Sequence, residues 1–217
     1  MSHVVLLGDS IFDNATYVPG EPDVVRQLRT KLPRSWKASL CAVDGSCARD
    51  VEGQLGSVPD DASHLIVSAG GNDALPYIDI FHQPAESVGE VVAKFAEISE
   101  QFARDYHSMV DAVLGRGVPV ALCTIYDGRF DDPAEQRLCS TALTVFNDVI
   151  TRAAFTSALP LIDLRLVCSD RADYANPIEP SAKGGDKIAT IIAQLVTGYS
   201  DARRSQVFAN VGLQCQT

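Results

Sequence analysis

The sequence has no apolar run long enough to cross a bilayer. It also has no basic N-terminal segment followed by an apolar stretch, so no signal peptide is read from it. Val4–Leu7 is too short for one and reads as a strand, which makes a cytoplasmic protein without membrane contact the expectation. Basic residues are few: 18 Lys and Arg stand against 28 Asp and Glu, for a net charge of −10. Nucleic acids and anionic membranes both need a basic face, so neither is expected as a partner. The four histidines are scattered, and none of the six cysteines falls in a C-x-x-C pair. Metal-ligand spacing is therefore missing, and no metal or cofactor is expected. A Cys41–Cys47 bridge is conceivable but not expected in a reducing compartment. Cys41 and Cys123 read as small core residues.

What is present suits an ordinary globular chain: 217 residues, 46% hydrophobic, 21% charged, mean hydropathy +0.05. One domain is expected over residues 1–200, followed by a tail, 201–217, that could pack on the body or pair with a second copy. Short apolar runs at Val4–Leu7, Trp36–Val43, Leu65–Ser68, Val118–Ile125 and Leu161–Leu164 read as strands. Between them lie helical patterns. Glu21-Pro22 opens one toward Leu32, with Pro22 at a tolerated first position, and Ala48–Leu55 suits a short one. Apolar residues from Val88 to Val113 recur at helical spacing and mark a long amphipathic helix over 87–114, ended by Gly115 and Gly117. Leu138, Leu143, Phe146, Val149 and Ile150 trace another. Ile188, Ile191, Ile192 and Leu195 trace the last, with Ser181 as its cap. This alternation predicts an α/β fold, a three-layer α/β/α sandwich around a parallel five-stranded sheet of flavodoxin-like type.

In such a sheet, ligand sites lie beyond the carboxyl ends of the strands. Three polar turns follow the first three strands: Gly8-Asp9-Ser10, Asp44-Gly45-Ser46 and Gly70-Gly71-Asn72-Asp73. They should gather at one edge, where a serine on a strand-to-helix turn exposes its hydroxyl as a nucleophile. Each tripeptide alone is an ordinary turn; their order and their placement at strand ends are more specific. Tyr17, Tyr77, Phe81, Tyr126, Phe130 and Tyr174 fall in loops near that edge, as pocket lining or as loop packing.

With these blocks the chain resembles the GDSL/SGNH hydrolase family over residues 3–197. The resemblance implies a serine hydrolase acting on a small ester, with Ser10 as nucleophile. It also implies an oxyanion hole formed by the Ser10 N–H, the Gly45 N–H and the Asn72 amide. Gly53 competes with Gly45 for its place. Asp9 and Asp73 read as residues that brace their turns.

The last block departs from the family pattern. Where the family places Asp-x-x-His, this chain has Asn176-Pro177-Ile178-Glu179, although the flanking Pro180-Ser181 and Gly184-Gly185-Asp186-Lys187-Ile188-Ala189 match. Four accounts are open. Glu179 could serve as the base, although a carboxylate of pKa near 4.3 is weak at neutral pH unless burial or nearby Asp9 and Asp73 raise it. His82 could fold over the pocket as base, whereas His64 and His107 lie at the opposite edge and on the long helix. The pocket could bind a small ligand without turnover. Lastly, Asp9, Asp73, Glu179 and Asp127 could hold a metal, an idea that no motif supports. The reading carried forward is an ester hydrolase with Glu179 in the histidine position.

Overall fold

The computed structural model describes residues 2–198 and 206–208. Five strands, β1 (His3–Gly8), β2 (Lys37–Leu40), β3 (His64–Ser68), β4 (Val120–Cys123) and β5 (Leu161–Ile162), form one parallel sheet in the order β2-β1-β3-β4-β5. The helices are α1 (Val24–Lys31), α2 (Val51–Gln54), α3 (Gly71–Ala74), α4 (Val88–Leu114), α5 (Pro133–Thr156), α6 (Leu164–Val167) and α7 (Ala182–Thr197). The architecture is the three-layer α/β sandwich that the alternating pattern predicts.

All six residues of β1 are buried, as a central parallel strand covered on both faces requires. Successive side chains alternate between the two faces. Val4 and Leu6 join a core with Leu28 of α1, Leu164 of α6 and Ile188 and Ile192 of α7. Val5 and Leu7 join one with Val51 of α2, Phe102 and Tyr106 of α4 and Phe146 and Ile150 of α5. α4 buries Ile98, Phe102, Tyr106, Met109, Val110 and Val113 along one stripe. Each such side chain contributes about 1.5–3 kcal/mol.

Several boundaries differ from the sequence expectation for local reasons. α1 starts at Val24, because the Asp23 carboxylate caps it by accepting from Arg26 N at 2.8 Å. Pro22 thus precedes the cap, and its carbonyl accepts from Gln27 Nε2. The segment 48–57 is one α turn between two 3-10 turns rather than a single helix. Ser87 and Ser181 cap α4 and α7 by accepting from Glu90 N and Gly184 N. Cys41, Cys47, Cys123, Cys139 and Cys168 are free thiols, so the Cys41–Cys47 bridge is not formed. Cys123 is buried as expected, while Cys41 is only half-buried. Cys215 and most of the tail expected over 201–217 lie outside the described residues. No described helix is long and apolar enough to cross a membrane.

The strand order reverses between β1 and β3, and the turns beyond these two strands lie side by side. Gly8 makes this closeness possible. Its φ is +119°, and a Cβ there would lie 1.7 Å from the Ser68 carbonyl oxygen. Gln54, itself buried, clamps the same residue by accepting from Gly8 N and donating to Gly8 O, each at 2.8 Å. Gly8→Ala is therefore expected to cost more than about 3 kcal/mol, through left-handed strain and backbone overlap together. Urea unfolding will read this as a lowered midpoint at unchanged slope; an unaltered midpoint would contradict it.

Candidate active site

The turns after β1, β2 and β3 are tied together by side chains. Asp9 Oδ1 accepts from Ile11 N at 3.1 Å and shapes the turn that carries Ser10. Asn72 Nδ2 donates to the Ser46 carbonyl at 3.0 Å. Asp73 Oδ2 accepts from Ala48 N at 2.9 Å, and Gln54 Nε2 donates to Ser46 Oγ as well as to Gly8 O. An amide NH2 has two donors, so one Asn72 N–H remains for the pocket that Asn72 lines.

Ser10 Oγ donates to Glu179 Oε1 at 3.0 Å, across 169 positions of sequence. Both residues are buried, at 6% and 5% exposure, and Glu179 Oε2 has no hydrogen-bond partner among the described residues. Asn176 does not touch the Glu179 carboxylate. Its Oδ1 accepts from Ile178 N and Glu179 N, both at 2.9 Å, and so holds the backbone of the turn. The loop after β4 grips the same turn. Tyr126 Oη donates to Ile178 O at 2.7 Å, and Arg129 N donates to Pro177 O at 2.7 Å. Between them, Gly128 has φ +69° and room for no side chain, a Cβ falling 2.8 Å from Pro177 O. Behind the turn, buried Asp173 receives Lys187 Nζ at 2.6 Å and anchors the start of α7.

Burial, acting against the Ser10 hydrogen bond, raises the Glu179 carboxyl to about 7; Asp44 adds to the rise. Asp9 is pushed up further, to about 8, by burial first and then by Glu179 and Asp73. Neither Asp9 nor Asp73, the two neighbours expected to raise Glu179, contributes to its rise; Asp73 points to the loop of Ala48, and the exposed Asp44 acts instead.

Ser10, Glu179, Asn72 and Asp9 line one pocket with about 930 Å3 of open space. Beyond this polar end its walls are apolar, drawn from the 3-10 helix Leu75–His82, α4, α5 and the loop after β4. Tyr77, Phe81, Tyr126 and Phe130 line it as one sequence alternative had it. Tyr17 and Tyr174 do not: Tyr17 Oη donates to Asp44, and Tyr174 packs edge-on against Tyr126.

Three sequence readings need correction or relocation. Gly45 and Gly53 are exposed and line no part of the pocket. Gly45, with φ +81°, makes the turn closed by Ser46 N donating to Val43 O, a position that glycine favours. His82 is exposed and outside the pocket. In a 3-10 helix it eclipses Asp79, also exposed, so this face points outward. The metal account gains no support: among the described residues no three His, Cys, Asp or Glu side chains are grouped to hold an ion. The residues that sequence reasoning missed are the pocket's apolar walls, including Ile78, Phe95, Cys139 and Leu143. Their helical periodicity marks them only as inward-facing.

The sequence profile of the GDSL-like lipase/acylhydrolase family matches residues 6–187. The chain belongs to that family. No curated protein sequence matches it. Solved structures share the fold at low identity. A lipase from a goat rumen metagenome superposes with a TM-score of 0.69 at 18% identity, over 93% of this chain and 99% of that one. An acetyl xylan esterase gives 0.65 at 17%, over 89% and 99%. A carbohydrate acetylesterase from Sinorhizobium meliloti gives 0.64 at 13%, over 91% and 99%.

A buried carboxyl at about 7 has a stability consequence. An unfolded glutamate titrates near 4.3, so between about 4.3 and 7 the unfolded chain releases this proton while the folded chain keeps it. Stability therefore falls as pH rises through that window. Glu179→Gln removes the contribution. Relative to the parent, the variant's melting temperature should be higher at pH 8 than at pH 4, because at pH 4 both side chains are neutral. Equal differences at the two pH values would refute the burial argument.

Proposed function

We propose that the protein hydrolyses carboxylic esters through Ser10, with Glu179 as its general base. The observation that carries this reading is the buried 3.0 Å hydrogen bond from Ser10 Oγ to Glu179 Oε1, at the polar end of a large pocket in a family of acylhydrolases. The superposable structures bear the names of esterases and lipases, which agrees with the reaction class.

In the proposed cycle the Glu179 carboxylate takes the Ser10 hydroxyl proton as Oγ attacks the ester carbonyl. The carbonyl oxygen becomes an oxyanion, met by the second Asn72 amide hydrogen and the Ser10 backbone N–H. Among the described residues no group accepts from that N–H. Gly45, outside the pocket, is not counted as a donor. Collapse of the intermediate breaks the bond to the alcohol oxygen, which takes the proton from Glu179 and departs. The acyl group stays on Oγ. Glu179 then deprotonates a water, which attacks the acyl carbonyl, and the acid leaves as Ser10 regains its proton.

Burial raises the basicity of the carboxylate toward that of an imidazole. Only the ionised form accepts a proton, so turnover should fall as pH drops through about 7 and level off above it. The acidic persistence that an unshifted glutamate would confer is not expected. Ser10→Ala and Glu179→Gln should both remove short-chain ester hydrolysis while keeping the fold. Wild-type rates in folded Glu179→Gln would discard the base, and wild-type rates in Ser10→Ala would discard the nucleophile.

Asn72→Ala should lower kcat by about a hundred- to a thousandfold, the usual effect of losing one oxyanion donor. A change mainly in KM would make Asn72 a binding or loop residue instead.

A further inference from the structure

We infer that the acyl half of the substrate is an aliphatic chain much longer than acetyl, held in the apolar part of the pocket. The inference rests on the proposed esterase reading for its direction. Glu179 must return its proton to the departing alcohol oxygen, so the alcohol lies on the Glu179 side of the carbonyl. The acyl substituent then points the other way, past Asn72. There the chain runs on from Asn72 through α3 into the 3-10 helix Leu75–His82.

In that direction the lining is hydrocarbon and aromatic. Ile78 and Phe81 come from the 3-10 helix, Phe95 from α4, and Ala142, Leu143 and Phe146 from α5. Apart from the hydroxyls of Tyr77 and Tyr126, the latter donating to Ile178 O, the polar side chains of the pocket are Asp9, Ser10, Ser68, Asn72, Asp127 and Glu179. Four of them sit at the ends of β1 and β3 or in the turns beyond, and Glu179 is hydrogen-bonded to Ser10 there. An acetyl group at the Ser10 end would reach none of the apolar side chains drawn from α4 and α5. A sugar in the same space would strip its hydroxyls of water with almost nothing to hydrogen-bond them. A hydrocarbon chain loses nothing and gains burial.

The size of the effect follows from the transfer free energy of a methylene. About 0.8 kcal/mol per buried CH2, at 1.4 kcal/mol per tenfold, is about fourfold per carbon. The experiment is a p-nitrophenyl ester series from acetate to palmitate. We expect kcat/KM to climb with chain length and to favour octanoate over acetate by at least about a hundredfold. Ala142→Phe, which adds bulk inside the pocket, should cut the octanoate-to-acetate ratio by at least about tenfold. Ala142→Val, with a smaller addition, should cut it less and serves if the larger side chain impairs folding. A flat series, or acetate as the best substrate, overturns the inference while leaving the esterase reading intact. Calorimetry of Ser10→Ala with p-nitrophenyl octanoate and acetate separates the two claims. Tighter binding of octanoate, together with no hydrolysis by the wild type, supports the acyl pocket and overturns the esterase. Equal binding of the two esters overturns the pocket.

Discussion

The site depends on one unfavourable act, the burial of the Glu179 carboxyl against Ser10. A carboxylate taken out of water costs free energy unless it is paired, and the cheapest response is to keep its proton. Among the described residues no cation is paired with Glu179. Oε1 has the Ser10 hydroxyl, and Oε2 has no partner among the described residues. The position of the side chain is therefore imposed by its backbone. Asn176 supplies two acceptor contacts to the turn, and Tyr126 and the loop through Gly128 hold the turn from the opposite side. Such a carboxyl weakens the fold wherever it ionises, the usual relation between a poised group and the stability it forgoes.

Those contacts serve only because the sheet delivers Ser10 to the same place. Parallel strands end in turns on one side, and the reversal of order at β1 and β3 sets two of these turns next to each other. Their separation is set by the lack of a side chain at Gly8, whose backbone lies against Ser68 and is fixed by Gln54. The Asn72 amide is oriented by Ser46, and the loop of Ser46 is in turn held by Asp73 and Gln54. The proposed catalytic groups, carried on loops, are thus fixed by hydrogen bonds between loops.

Much of this was legible in the sequence. Short apolar runs identified all five strands, most plainly the central ones, where a strand covered on both faces reads as a continuous apolar run. Ser181, before the α7 pattern, was legible as its cap. Ser10, Asn72 and Glu179 could be assembled from strand ends and the order of the blocks. Gly45 could not be placed, because a glycine that lends its N–H and one that makes a turn look the same in sequence. The orientation of His82 was not legible, because proximity to Asn72 along the chain says nothing of which way a 3-10 helix faces. The apolar pocket was invisible for a related reason: Leu143 and Phe146 carry the same periodic signature whether they meet a neighbouring helix or an open cavity. The shift of Glu179 to about 7 depends on burial, which no local pattern encodes.

The paired departure at positions 176 and 179 has a single electrostatic rationale. A histidine base becomes a cation when it accepts the serine proton, and an aspartate beside it stabilises that charge. A carboxylate base becomes neutral when it accepts the same proton, so no counter-charge is called for. An aspartate at 176 would place a further negative charge in the turn that carries Glu179, opposing ionisation beyond what burial and Asp44 already do. It would then leave less of the base in its working form at neutral pH. Asparagine avoids that charge and keeps the acceptor oxygen, which is put to use on the backbone of residues 178 and 179. On this argument Asn176 and Glu179 form one unit: a neutral clamp under the proposed carboxylate base, in place of an acid behind an imidazole.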